Sequence, residues 1–293
     1  MPKFDIAGRG KIWFIISLLI IIPGLISMAT RGFNFGIDFT GGTIIDLKFE
    51  KPVAIADIRE TLKPFGLDGA TIQLSGDSLD VSTDVMIRTI DLEEVQRKEV
   101  MAAIKDKNGA YEVLREEKVG AIIGGELILN AILALIISWL LIILYIAYRF
   151  EWRFGISAVI ALIHDILIVL AFFSFTQRQV DSSFVAALLT VVGYSINDTI
   201  VIFDRVRENL KLHFRRGGNV IELLNRSIYQ TLTRSLYTVF TCLFTTFALF
   251  FFGGETTKDF AFALIVGFFS GCYSSIFIAG PVWLELRKFG GKK

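Results

Sequence analysis

Phe184 to Phe203 reads FVAALLTVVGYSINDTIVIF, and Asp198 is the one charged residue in it. An α-helix needs about 20 mostly apolar residues to cross the hydrocarbon of a bilayer. The stretch therefore predicts a membrane span. It is polar for a span, because Gly193, Tyr194, Ser195, Asn197, Asp198 and Thr199 crowd its middle. Small and polar residues allow close helix contact and hydrogen bonds between helices, so a central position, away from lipid, is expected. Positions 190, 194, 198, 201 and 205 share a helical face, which sets Thr190, Tyr194, Asp198 and Arg205 in one stripe.

Five more stretches of this length lie outward from it. Ile12 to Ala29, Leu127 to Tyr148 and Phe154 to Thr176 precede it, and Leu232 to Phe252 and Phe260 to Leu284 follow. The order is one span, a polar gap of roughly ninety residues, then five spans. The composition agrees: of 293 residues 53% are hydrophobic and 20% charged, and the net charge is +1. A disordered chain is low in hydrophobicity and high in net charge, so that class is excluded. The first span follows Lys3, Arg9 and Lys11 and shows no clear cleavage site before Arg31, so it reads as an uncleaved signal anchor. Cys242 and Cys272 both sit in apolar runs with no CxxC pair, as small core residues do.

Lys and Arg in short loops set orientation. With six spans, one side collects Lys3, Arg9 and Lys11, then Arg149 and Arg153, the basic segment 204–231, and Arg287, Lys288, Lys292 and Lys293. The other side has Arg178 and Lys258. The basic side is expected to be the cytoplasm, with both termini in it. The expected organisation is a cytoplasmic tail and first span over 1–32, an extracytoplasmic domain over 33–120, and spans two to six over 121–293. Residues 30–120 hold 12 Lys or Arg against 17 Asp or Glu, while the remainder holds 18 against 12. The near-neutral total thus joins an acidic external domain to basic inner rims, which points to anionic lipid beneath the inner loop. Val206, Leu210, Leu223 and Leu224 within that loop suggest two short helices, broken at Gly217-Gly218 and lying on the membrane surface.

The gap domain predicts a strand over Thr43–Glu50, a helix over Ala54–Lys63, and strands over Ala70–Leu74 and Leu79–Ile90 parted by a Ser-Gly-Asp-Ser turn. A helix over Leu92–Lys107, stopped by Asn108-Gly109, and a strand over Ala110–Arg115 complete it. Strand, helix, strand, strand, helix, strand is the ferredoxin-like order.

Ionisable groups inside a bilayer are costly and mark function. Asp198 in the fourth span, His164 and Asp165 in the third, and Arg234 near the inner end of the fifth are the candidates. At 1.5 Å rise per residue, Asp198 and Arg234 should lie at similar depth and could pair. A carboxyl between burial and an arginine can switch its protonation, as a proton-coupled transporter requires, whereas arginine stays charged. A static ion pair fixing helix packing is the alternative. His164 and Asp165 point about 100° apart on a helix, so they should not serve one site equally. There is no GxxxxGK[ST], HExxH or GxSxG motif, hence no ATPase of its own is expected. An aspartic protease needs two carboxyls sharing a proton, which the unequal depths of Asp165 and Asp198 disfavour.

Several of these motifs resemble the SecF branch of the SecD/SecF family of bacterial protein-export subunits. They are Phe33-Asn34-Phe35-Gly36-Ile37-Asp38-Phe39-Thr40-Gly41-Gly42 after the first span and Val192 to Val201 in the fourth, continuing through Asp204-Arg205 and Arg207-Glu208-Asn209. Phe150-Glu151-Trp152-Arg153, His164-Asp165, Thr231-Leu232-Thr233-Arg234 and Phe252-Gly253-Gly254 also match, and Ala121 departs, since the family often has proline there. The likeness runs from Gly10 to the C-terminus. It implies a heterodimer with SecD, in which six spans from each make a bundle similar to the resistance-nodulation-division exporters. It implies proton flow that drives the external domains to draw an unfolded preprotein out of the SecYEG channel, with YajC as a further partner. Asp198 and Arg234 match the family's proton-pathway residues, and Asn34, Gly36, Asp38, Gly41 and Gly42 its first signature. The glycines suit a tight turn between span and sheet.

The expectation is an α-helical polytopic membrane protein of six spans with an α+β ferredoxin-like external domain, half of a transporter driven by the proton gradient. No cofactor, metal or nucleic acid enters it. Its rivals are a stand-alone exporter of lipids or small molecules built as a homodimer, and an assembly scaffold without ion coupling.

Overall fold

The computed structural model describes residues 5–75, 81–119, 121–149, 151–213, 218–253 and 255–289. The Gly-Asp-Ser of the expected 75–78 turn, Gly217 of the expected loop break, Phe150, Gly254, and Lys3, Lys292 and Lys293 of the basic tails lie outside the described residues. The chain forms two compact units, one running to Asn34 and resuming at Ile132, the other Phe35–Ala131.

In the second unit a helical turn, Ile37–Thr40, leads to β1 (Gly42–Ala54), α2 (Ile55–Leu62), β2 (Thr71–Ser75), β3 (Val81–Thr89), α3 (Glu94–Asn108) and β4 (Tyr111–Val119), α1 being the first span. The sheet order is β2-β3-β1-β4, with antiparallel neighbours throughout. This is the ferredoxin-like arrangement. Side chains alternate across a strand: Ile45, Leu47 and Phe49 of β1 face the core, where Ile87 and Val85 of β3 stand opposite the first two. Ile58 and Leu62 of α2 and Val100 and Ile104 of α3 cover that face. Gly109, at φ +103°, ends α3 where the Asn-Gly step predicted a stop. Gly41 and Gly42, at φ +71° and +136°, open β1, and a Cβ on Gly42 would lie 2.4 Å from the Thr89 carbonyl oxygen. Only glycine fits there.

The first unit is helical: α1 (Gly10–Arg31), the end of α4 (Ala121–Arg149), α5 (Trp152–Thr176), α6 (Ser182–His213), α7 (Val220–Phe252), and α8 (Glu255–Ser274), which runs through a π turn at Ser275–Ala279 into α9 (Gly280–Phe289). Among the described residues six helical spans are long and apolar enough to cross a membrane. The fourth was expected to be central and away from lipid. Within this chain 44% of its apolar window is buried, against 67% for the third and the sixth. The reason is packing by small residues: a Cβ on Gly267 of α8 would stand 2.1 Å from Val191 of α6, and one on Gly24 of α1 2.3 Å from Ala171 of α5. Backbones approach closely at both crossings.

The segment 204–231 also departs from expectation. It does not form short helices on a membrane surface; α6 continues to His213 and α7 starts at Val220. Of the apolar residues that suggested a lipid contact, Val206 and Leu224 are buried completely and Leu223 nearly so, packed inside the protein, while Leu212 at the end of α6 is exposed. Asn209 donates to Ser227 Oγ at 2.8 Å and Gln230 Oε1 at 2.9 Å, and Arg205 to Gln230 Oε1 at 2.7 Å, which joins the two extensions. The N-terminal segment docks alongside: Ile6 and Ala7 N–H donate to Asn225 Oδ1, and Asn225 Nδ2 donates to Asp5.

Candidate functional site

Asp165, in the middle of α5, is fully buried. Its carboxylate accepts from Ser195 Oγ of α6 at 2.6 Å, from Ser270 and Ser274 of α8 at 2.6 and 2.7 Å, and faces His164 Nδ1 at 3.0 Å. A buried carboxylate needs such partners, because burial without them costs several kcal/mol. The sequence argument that His164 and Asp165 diverge is corrected here. Their Cα–Cβ bonds diverge, but the imidazole folds back on its neighbour. Its other nitrogen, Nε2, meets Ser17 Oγ of α1 at 2.9 Å. The ring lies 5.8 Å from that of Tyr273, whose hydroxyl donates to the Trp13 carbonyl. The pair thus joins α1, α5, α6 and α8.

Asp198 of α6 is 7% exposed. The expected partner was Arg234. Instead Oδ1 accepts from Ser235 Oγ of α7 at 2.5 Å. Neighbouring helix positions differ by about 100°, so turning Ser235 inward turns Arg234 outward, and Arg234 is exposed. Among the described residues it forms no ion pair, although it lies near enough to Asp198 to act on it electrostatically. Asp198 Oδ2 is buried and accepts no well-formed hydrogen bond. Ser275 stands beside the carboxylate, and its hydroxyl is shared with Thr199 Oγ1 at 2.9 Å and the Ser195 carbonyl at 3.4 Å.

The other motif residues divide. Ser195 and Thr199 belong to this network. Tyr194 packs its ring 4.4 Å from that of Phe268. Gly193 and Asn197 are exposed, as is Thr190 of the expected stripe. Asn34 ties the end of α1 to the Gln177 carbonyl after α5 at 3.0 Å. Gly36, Asp38, Gly41 and Gly42 lie in the other unit, where Asp38 acts electrostatically on Arg115. Sequence reasoning missed Ser17, Ser235, Ser270, Ser274 and Ser275. For the last three the run Gly267-Phe-Phe-Ser270-Gly271-Cys-Tyr-Ser274-Ser275 carried the signal, since serines and glycines four apart form one small polar face.

Helices crossing a membrane around two buried carboxylates define a polytopic membrane transport protein. The model of the family described as protein export membrane protein SecD/SecF, C-terminal, matches residues 99–289, and that of the SecD/SecF GG motif matches 26–53. The protein translocase subunit SecF of Acidaminococcus fermentans is 50% identical over 290 residues, covering 98% of this chain and 99% of that protein. That of Vibrio alginolyticus is 44% identical over 94% of this chain and 87% of its own. The crystal structure of SecDF, a translocon-associated membrane protein from Thermus thermophilus, superposes with a TM-score of 0.87 at 37% identity over 98% of this chain. This chain spans 39% of that longer one. The protein belongs to the SecD/SecF family of protein-export membrane proteins.

Proposed function

We propose that this chain is the SecF-type half of a proton-driven export motor. It pairs with a SecD-type partner in the bacterial inner membrane and assists the late steps of preprotein export through SecYEG. The observation that carries the reading is Asp198: a carboxylate buried among spanning helices, with one oxygen held by Ser235 and the other unpartnered. A group so placed gains a proton at little structural cost, because its second oxygen has room in its bonding for one. Arg234 acts on it from the exposed side as a fixed positive charge.

Pairing with a second half-bundle rests on the outer face of α6 and α7. Thr190, Gly193 and Asn197 of α6 and Arg234 of α7 are exposed within spanning segments. An amide and a guanidinium facing lipid tails would be unsatisfied, so protein is expected to cover them. The basic inner ends favour anionic lipid at the cytoplasmic surface, and YajC and unfolded preprotein are proposed as further partners. No cofactor besides the proton gradient is needed.

The test is Asp198→Asn in the chain co-reconstituted with SecD and SecYEG. Proton-dependent stimulation of preprotein export should vanish while SecD still co-purifies. Stimulation equal to wild type would remove Asp198 from the role.

A further inference from the structure

The two carboxylates stand at the ends of one nearly continuous row of hydroxyls. Asp165 holds Ser195 and Ser274, while Ser275, the next residue, holds Thr199 and stands beside Asp198. The row is open on both sides of Ser275. Among the described residues no hydrogen bond joins Ser275 Oγ to the hydroxyl of Ser274 or Ser195, and none satisfies Asp198 Oδ2. We propose that Ser275 is a gated proton relay between Asp165 and Asp198, so that Asp165 is a second proton-exchanging carboxylate of the motor. The inference rests on the proton-driven reading above.

The geometry supports a gate over a fixed wire. A serine hydroxyl turns among three staggered positions, and that of Ser275 already lies between two groups on α6 and the Asp198 carboxylate. The π turn begins at this residue. π turns are one residue wider than α turns and gather at functional sites, and a shift of the bulge by one residue re-aims Ser275 without unwinding the helix. A crevice of about 380 Å³ between α1, α5 and α8 is lined by Ser17, His164, Ser270 and Tyr273 among apolar side chains. Three of these four already belong to the Asp165 network.

In the closed row, protonated Asp165 gives its proton to Ser274 or Ser195 as that hydroxyl passes its own to Ser275. Ser275 in turn passes its own to Asp198 Oδ2. One O–H bond breaks and one forms at each hydroxyl. The net change is a carboxylate at Asp165 and an acid at Asp198. A permanently closed row would conduct protons without motion. The two open links let passage depend on a conformational step, as a motor requires.

The experiment measures dye-reported proton flux under an imposed pH gradient, in liposomes holding this chain with its SecD-type partner. Threonine and valine have nearly the same shape, so Ser275→Thr and Ser275→Val separate hydroxyl from packing. Ser275→Val and Ser275→Ala should lower flux on the order of a hundredfold, and Ser275→Thr should restore most of it, with assembly unchanged. Thr199→Val, on the opposing helix, keeps the test decisive if a change at Ser275 disturbs folding: it removes the hydroxyl that positions Ser275 Oγ and should also lower flux. Wild-type flux in Ser275→Val and Thr199→Val, with flux lost in Asp198→Asn, overturns the relay and leaves the function standing. Wild-type flux in Asp198→Asn as well overturns both.

Discussion

Asp165 and Asp46 both lose water on folding, with opposite results. Asp165 is surrounded by three serine hydroxyls and an imidazole. Removing the carboxylate strands those donors, each at about 1–3 kcal/mol. Asp165→Ala should therefore lower stability by at least about 3 kcal/mol, read as an earlier thermal transition of the detergent-solubilised chain. An unchanged transition would mean that the serines find other acceptors. Asp46, on the outer face of β1, keeps a buried Oδ1 with no hydrogen-bond partner. Burial raises its pKa above the usual carboxylate value, although Arg115 and Arg88 pull it down. Its acid form is thus favoured by folding. The sheet should be more stable when Asp46 is protonated and should weaken as pH rises from the ordinary value of 3.8 through the raised one. Asp46→Asn should slow hydrogen exchange along β1 at neutral pH in the full chain and abolish that pH dependence; faster exchange at neutral pH would refute this. The sequence showed which carboxylates were buried in spans, because a charge in an apolar run is visible. It could not show their partners. Ser235 holds Asp198 while Arg234 beside it does not, a matter of about 100° of helix rotation that no spacing rule resolves.

At the scale of helices, Gly193 differs from the other glycines of the spans. A Cβ on Gly267 would strike Val191, whereas one on Gly193 meets nothing within 4 Å. Its missing side chain serves no contact in this chain. Beside exposed Asn197, it marks where a helix of the partner half would approach. Gly193→Leu should leave the chain's own fold intact, even gaining up to about 1 kcal/mol of helix propensity. It should abolish co-purification with the SecD-type partner, and retained co-purification would place that contact elsewhere. The spans and the main elements of the sheet domain were legible, since runs of about 20 apolar residues and the period-2 alternation of β1 are local signals. The inner ends of α6 and α7 were misread for a physical reason. An amphipathic pattern records that one face is apolar but not what covers it, and Leu224 is covered by protein next to Gly280 rather than by lipid. The π turn left no local trace, because Ser275–Ala279 has the composition of any spanning helix.

For the molecule as a whole, charge and hydropathy make one joint claim about sidedness. Residues 30–120 are acidic in balance and the remainder basic, and on the proposed topology both tails share a side with the link between α6 and α7. Lys211, exposed near the end of α6, and Lys107, exposed near the end of α3, are then expected to face opposite aqueous phases. The native cysteines hardly interfere, since Cys272 is buried and Cys242 half-buried in spans, and Cys242→Ser with Cys272→Ala removes them. In that background a membrane-impermeant maleimide should label Lys107→Cys in intact spheroplasts. It should label Lys211→Cys only after the membrane is opened. The prediction binds the function to the topology. A motor that works on a preprotein leaving the channel must hold its sheet domain where the preprotein emerges. The protons driving it must enter from that same side, because the proton gradient runs inward. Labelling of Lys211→Cys in intact cells with Lys107→Cys protected would invert the chain. It would put the sheet domain on the side where preproteins are still waiting, and the export reading would fall with the topology.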